Sequence, residues 1–181
     1  MDPFGFPNPV NETSARLVAG GVAAMATTAV VADQPWLLAP LTYGFAARVV
    51  AGPTLSPLGQ LATKVITPRL GRIEHRYSPG PPKRLAQGIG LVVTSAASVL
   101  AATGRRRPAY RLLGALVAAA GLEAGFGVCL GCKLFGAGMR LGLVPDTVCE
   151  ECNDIWARYP GPRPMVRPGN RRRWPRALSI T

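Results

Sequence analysis

Histidine appears once in these 181 residues, and Asp and Glu together 9 times against 21 Lys and Arg. The chain holds no Ser-His-Asp set, no metal-binding His/Glu helix pattern and no phosphate-cradling glycine loop, so hydrolytic and nucleotide chemistry have no residues to carry them. The lone histidine, His75, stands between Glu74 and Arg76 in a basic stretch and reads as solvated. Aromatics make up 7%, no aromatic stripe interleaves with the basic residues, and no recognisable binding module accompanies the net charge of +12. Nucleic acid is therefore excluded as the partner. Cysteine is confined to four positions between 129 and 152, too clustered to staple a secreted fold.

What is abundant is apolar. Hydrophobic residues reach 48%, and they gather into four blocks with nearly all of the charge between or after them. That is a membrane pattern rather than the amphipathic spacing of a soluble core. The blocks run over residues 17–32, 36–51, 86–103 and 110–128, preceded by a Pro-rich arm at 1–16. The first is slightly short for a span. Val30-Val31-Ala32 resembles a signal-peptide cleavage site, but the region before it is long and bears Asp2 and Glu12 against Arg16 alone.

Only Asp33-Gln34-Pro35 separates the first two blocks, so they form a hairpin. Between the second and third lies a basic Pro-rich loop with Lys64, Arg69, Arg72, Arg76, Lys83 and Arg84. Within it a short helix from Leu58 to Ile66 is expected to lie on the lipid headgroups. Putting this loop and the nine bases after Cys132 on the cytoplasmic side places both termini inside, with Arg105, Arg106, Arg107 and Arg111 opposite. Basic residues flanking apolar spans also account for the net charge.

Gly20, Gly21, Gly44, Gly88, Gly90, Gly114, Gly121 and Gly125 recur in the blocks and are expected to permit close helix approach. The fold class that follows is all-α: an integral membrane four-helix bundle over 17–130 in the plasma membrane. A cytoplasmic cysteine-containing helical segment at 131–158 and a disordered basic tail at 159–181 complete it.

The cysteines are spaced Cys129-x2-Cys132, sixteen residues, then Cys149-x2-Cys152. Two such corners suit a four-cysteine zinc site, although Glu150 and Glu151 between the second pair add charge that four thiolates already overcompensate. As dithiols, the two pairs differ in setting. Cys129 and Cys132 read as the C-terminal end of the fourth span, where the helix dipole disfavours a thiolate and Lys133 opposes that effect. Thr147-x-x-Glu150 is a capping-box signature that puts Cys149 in the first turn of a new helix, where free N–H groups favour an anion. Cys149 is the expected nucleophile, Cys152 the resolving thiol, and Cys129 with Cys132 the acceptor pair at the membrane edge.

Arg48 and Glu123 are ionisable residues inside apolar blocks, each a few residues from the same membrane face. They are expected to pair across the bundle, which relieves the cost of either charge in lipid. Glu123 and Cys129 would face apart by about 240 degrees on a continuous helix, so a break at Gly127 or Gly131 is needed to bring them together. Solute transport has less support, because no broken span or internal repeat is evident.

Tyr43-Gly44-Phe45 through Arg48, Gly52-Pro53 with Ser56-Pro57, Gly80-Pro81-Pro82-Lys83-Arg84 with Ala86-Gln87, and above all Cys129-Leu130-Gly131-Cys132, carry a resemblance. Over residues 10 to 157 the chain resembles an actinobacterial membrane-protein family named only as domain of unknown function 4395. The resemblance implies a multi-span membrane protein with CLGC at the end of its last span. It also implies a thioredoxin-like or sulfurtransferase partner, and Cys149 with Cys152 is less general in that family.

The expected function is a membrane-embedded thiol-disulfide or sulfur-relay component using both CxxC pairs at the cytoplasmic face. The alternative is a non-enzymatic scaffold or accessory subunit of a larger membrane complex, with zinc held by Cys129, Cys132, Cys149 and Cys152. Zinc is the only cofactor in view, and the lipid bilayer is the first partner.

Overall fold

The computed structural model describes residues 10–70, 77–145 and 148. Helix α1 (Glu12–Val31) begins where Asn11 turns extended and accepts hydrogen bonds from the N–H groups of Thr13 and Ser14. It thus starts five residues earlier than its apolar block. The added turn holds Glu12 and Arg16, and α1 reaches 20 residues, about the 30 Å of a bilayer core.

The chain reverses through a 3-10 turn at Pro35–Leu37 into α2 (Leu38–Ala51). This helix has 14 residues, about 21 Å, and stops ahead of Gly52-Pro53 because the proline ring disfavours helical backbone before it. After another 3-10 turn at Gly52–Thr54, helix α3 (Pro57–Gln60) runs through π-helical Leu61–Ile66 into α4 (Thr67–Arg69). This segment packs along α1. Ala62 is buried, Leu58 meets Gly21, and the hydroxyls of Ser14 and Thr67 hydrogen-bond at 2.9 Å. The helix expected to lie on headgroups therefore has one face committed to protein.

A two-residue antiparallel pairing of β1 (Val10–Asn11) with β2 (Tyr77–Ser78) leads into α5 (Gly80–Ala102). Pro81 and Pro82 occupy its first turn, where a missing N–H costs nothing. Helices α6 (Arg106–Phe126) and α7 (Leu130–Arg140) follow. In the helical body α1 packs chiefly on α6, α6 on α5 and α5 on α2, while α7 folds back on α5.

The core is two matching stripes. Val18, Val22, Ala26 and Ala29 on α1 lie against Ala109, Leu113, Leu116 and Ala120 on α6, at steps of three and four that keep one face inward. Alanine fills half of the seam, while other large side chains point out: Val92 and Val99 on α5 and Phe126 on α6 are all exposed. Among the described residues three helices, α1, α5 and α6, are long and apolar enough to cross a membrane. Helix α2, at 14 residues, is shorter than these three, although the chain passes through it from the Asp33–Arg106 end to the Lys83–Glu123 end.

The glycines divide. A methyl group at Gly90 would come within 2.2 Å of the Phe45 ring, so α5 and α2 touch only because none is there. At Gly88, Gly114, Gly121 and Gly125 a methyl would meet nothing within 4 Å, and close approach is not their role.

At one end of the helical body Asp33 accepts from Arg106 at 2.6 Å and from the Tyr110 hydroxyl, tying the α1–α2 turn to the start of α6. At the other end Arg16 donates to the carbonyls of Ala124 and Gly125 at 3.1 and 2.6 Å. A cation on these last carbonyls of α6 is where the helix dipole favours one.

Candidate functional site

The site lies at this second end. Helix α6 stops at Phe126, and Gly127 takes the left-handed conformation at φ 68° that only glycine adopts freely. Two residues later the backbone is extended at Cys129, the N-cap of α7. The Cys129 sulfur accepts a hydrogen bond from the Cys132 N–H at 3.4 Å, in the manner of a capping side chain.

This reverses the expected electrostatics. The first cysteine pair does not continue the fourth span at a negative helix end but opens a new helix at a positive one. The neighbouring Cys132 thiol is the largest influence, lowering the Cys129 thiol to about 7. Burial and the Glu123 carboxylate act against it, while Lys83 and the Cys132 N–H reinforce it. The Cys132 thiol is pushed up instead, by its neighbour Cys129 and by burial. Both cysteines are free; Cys129 is buried and Cys132 half-buried.

Helix α7 sits close enough to hold this turn in place because Gly131 faces α5. A methyl group there would stand 2.6 Å from the Ala86 backbone. Phe135 is buried one turn further on, and Leu130 and Leu134 stay exposed.

Glu123 pairs with Lys83, not with Arg48. The helix that carries Lys83 begins at Gly80 rather than at Ala86, which lifts this lysine out of the basic loop and onto the inner face of α5. Its side chain is 7% exposed and that of Glu123 15%. After the break at Gly127, Glu123 and Cys129 line the same cavity. Sequence reasoning missed Lys83, although Pro81-Pro82 ahead of an apolar run is a helix-start signal.

Arg48 is 5% exposed and held by neutral partners. Its Nε donates to Gln87 Oε1 at 2.7 Å, its Nη1 to Ser56 Oγ at 3.0 Å, and its guanidinium lies 4.6 Å from the Phe45 ring centre. Ser56 in turn accepts from the Gly59 N–H at 3.2 Å. Gln87 and Ser56 were also missed, since neither is marked in the sequence except by lying in the segments that carry the resemblance.

Cys149, Cys152 and their capping residues Thr147 and Glu150, like Glu151 and His75, lie outside the described residues. Among the described residues no three His, Cys, Asp or Glu side chains group as metal ligands. Cys129 and Cys132 alone present two sulfurs, half of a zinc tetrahedron.

The family described as domain of unknown function (DUF4395) matches residues 10–140, a stretch that takes in every helix described and the CxxC at the start of α7. The chain belongs to that family. No curated protein and no solved structure matches the chain. Membership thus covers Arg48, Lys83, Gln87, Glu123, Cys129 and Cys132, and leaves Cys149 and Cys152 beyond the matched residues.

Proposed function

We propose that this protein is an integral membrane thiol-disulfide relay whose reactive pair is Cys129 and Cys132. The observation that carries it is the N-cap position of Cys129, with the Cys132 N–H on its sulfur. Donors at a helix start stabilise a thiolate, and a CxxC there is built for exchange. The outward-facing apolar side chains of α5 and α6 support a lipid environment. In this reading both cysteine pairs face the cytoplasm and Arg105 to Arg107 lie outside.

The pair works as an acceptor of electrons. With Cys129 and Cys132 joined as a disulfide, an incoming thiolate attacks the more exposed sulfur, Cys132, and forms a mixed disulfide. Cys129 leaves as a thiolate, the better leaving group because its acidity is raised. A second thiol on the donor then displaces Cys132, so two electrons enter and the donor departs oxidised. Cys149 and Cys152 are the donor within the chain, Cys149 attacking and Cys152 resolving. A thioredoxin-like protein is the donor outside it.

Redox titration of the purified chain in glutathione buffers, read by mass after alkylation, tests this. A Cys129–Cys132 disulfide that forms and opens reversibly is expected. Four thiols that stay reduced throughout, with one zinc per chain lost on Cys129→Ser, replace the relay with the zinc-clamped scaffold.

A further inference from the structure

Cys129 is hidden from bulk solvent, yet it lines a cavity of about 280 Å³ between α1, α2, α5 and α6. Most of the lining is apolar, with Val22, Val93 and Leu112, and exposed Leu130 and Leu134 of α7 border its open side. The polar lining is concentrated at the cysteine end: Arg48, Gln87, Glu123 and Cys129. Of the two sulfur-bearing residues, only Cys129 borders this cavity.

Arg48 is the second observation. A guanidinium has five N–H donors, and a buried one is normally matched by a carboxylate. Among the described residues Arg48 has none: its partners are the Gln87 amide and the Ser56 hydroxyl, through Nε and Nη1. Glu123, which lines the same cavity, is already taken by Lys83. A buried cation without an acid beside an apolar chamber fits a ligand that is largely hydrocarbon and carries an oxygen able to accept charge. A small inorganic anion does not need the apolar volume, and a bare acyl chain does not need the cation.

We propose that this cavity binds a quinone ring, and that the quinone takes the electrons that the Cys129–Cys132 dithiol has collected. The proposal rests on the thiol-disulfide reading above. The Cys129 thiolate adds to a ring carbon, forming a C–S bond and moving charge to a carbonyl oxygen that the Arg48 guanidinium stabilises. Cys132 then gives up its proton and attacks the Cys129 sulfur, so the S–S bond forms as the C–S bond breaks. The bonding pair stays on the ring, which takes the Cys132 proton and one from water and leaves as hydroquinone. Two thiols are oxidised for each quinone reduced.

The experiment uses the full chain in detergent, carrying Cys149→Ser and Cys152→Ser so that only one dithiol reports. Ubiquinone-1 is added without oxygen, and thiols lost and hydroquinone formed are counted together. One hydroquinone per disulfide is expected, together with protection of Cys129 from alkylation when the quinone is present. Arg48→Met is expected to slow the reaction at least about tenfold, the loss of one charge-assisted hydrogen bond. Protection of Cys129 in the unmodified Arg48 protein serves if that variant does not fold.

A dithiol that cycles with glutathione but ignores ubiquinone-1 overturns the inference and leaves the relay standing. Equal rates with and without Arg48 also overturn it, because the quinone is then meeting an exposed thiol instead of a site. Thiols that close with neither oxidant remove the relay itself, and the electron transfer with it.

Discussion

Lys83 and Glu123, forty residues apart in sequence, form a buried ion pair at the foot of the turn that carries Cys129. The lysine charge is felt at both sulfurs. Losing one partner leaves the other charge stranded in an apolar setting. Lys83→Met is expected to destabilise the protein by about 3–5 kcal/mol, whereas Lys83→Met with Glu123→Leu recovers most of that. Thermal unfolding in detergent measures the cycle, and additive effects would show the two residues to be uncoupled.

Alkylation against pH separates the two thiols. Cys129 is lowered to about 7 and Cys132 is raised, so the thiolate at Cys129 appears first as pH climbs. Iodoacetamide is expected to label Cys129 with a midpoint near 7. Cys132→Ala removes the thiol that contributes most to the lowering, and the midpoint should move up. A midpoint unchanged by that substitution would assign the acidity to the helix end alone.

Two glycines make opposite predictions for the same substitution. Gly131→Ala forces α7 off the Ala86 backbone and should cost about 1–3 kcal/mol, with Cys132 labelling faster as the helix lifts. Gly121→Ala meets open space and should be neutral or stabilise by up to about 1 kcal/mol. Melting curves of the two variants decide whether close contact or composition explains each glycine.

Membrane orientation is checked from both ends. With a single cysteine substituted at Arg105 in a cysteine-free background, an impermeant maleimide is expected to label intact cells. A single cysteine retained at 132 should label only after permeabilisation. The reverse pattern would turn the site to the outer face.

The apolar blocks foretold α1, α5 and α6 because long runs of Ala, Val and Leu have few other uses. Their ends were harder to see. Asn11 and Pro81 start helices whose first turns are polar or charged, so Arg16 and Lys83 looked like loop residues. Arg48 and Glu123 were recognisable as functional or paired, but partner choice depends on which faces meet, and that is a property of packing. The cysteines stood out by spacing alone. Their electrostatic setting did not, since a cysteine N-cap lacks the usual Ser, Thr, Asp or Asn signal.

Gly127 touches neither sulfur, yet its left-handed backbone decides which end of a helix the sulfurs meet. Were it helical, α6 and α7 would run on as one rod, and Cys129 would lie within its turns with no free N–H groups to cap. In a genetic screen for lost thiol function, substitutions at Gly127 should therefore score with those at Cys129 and Cys132. A transplant of the CxxC without its glycine would carry both thiols but not the free helix-start N–H that caps the Cys129 sulfur.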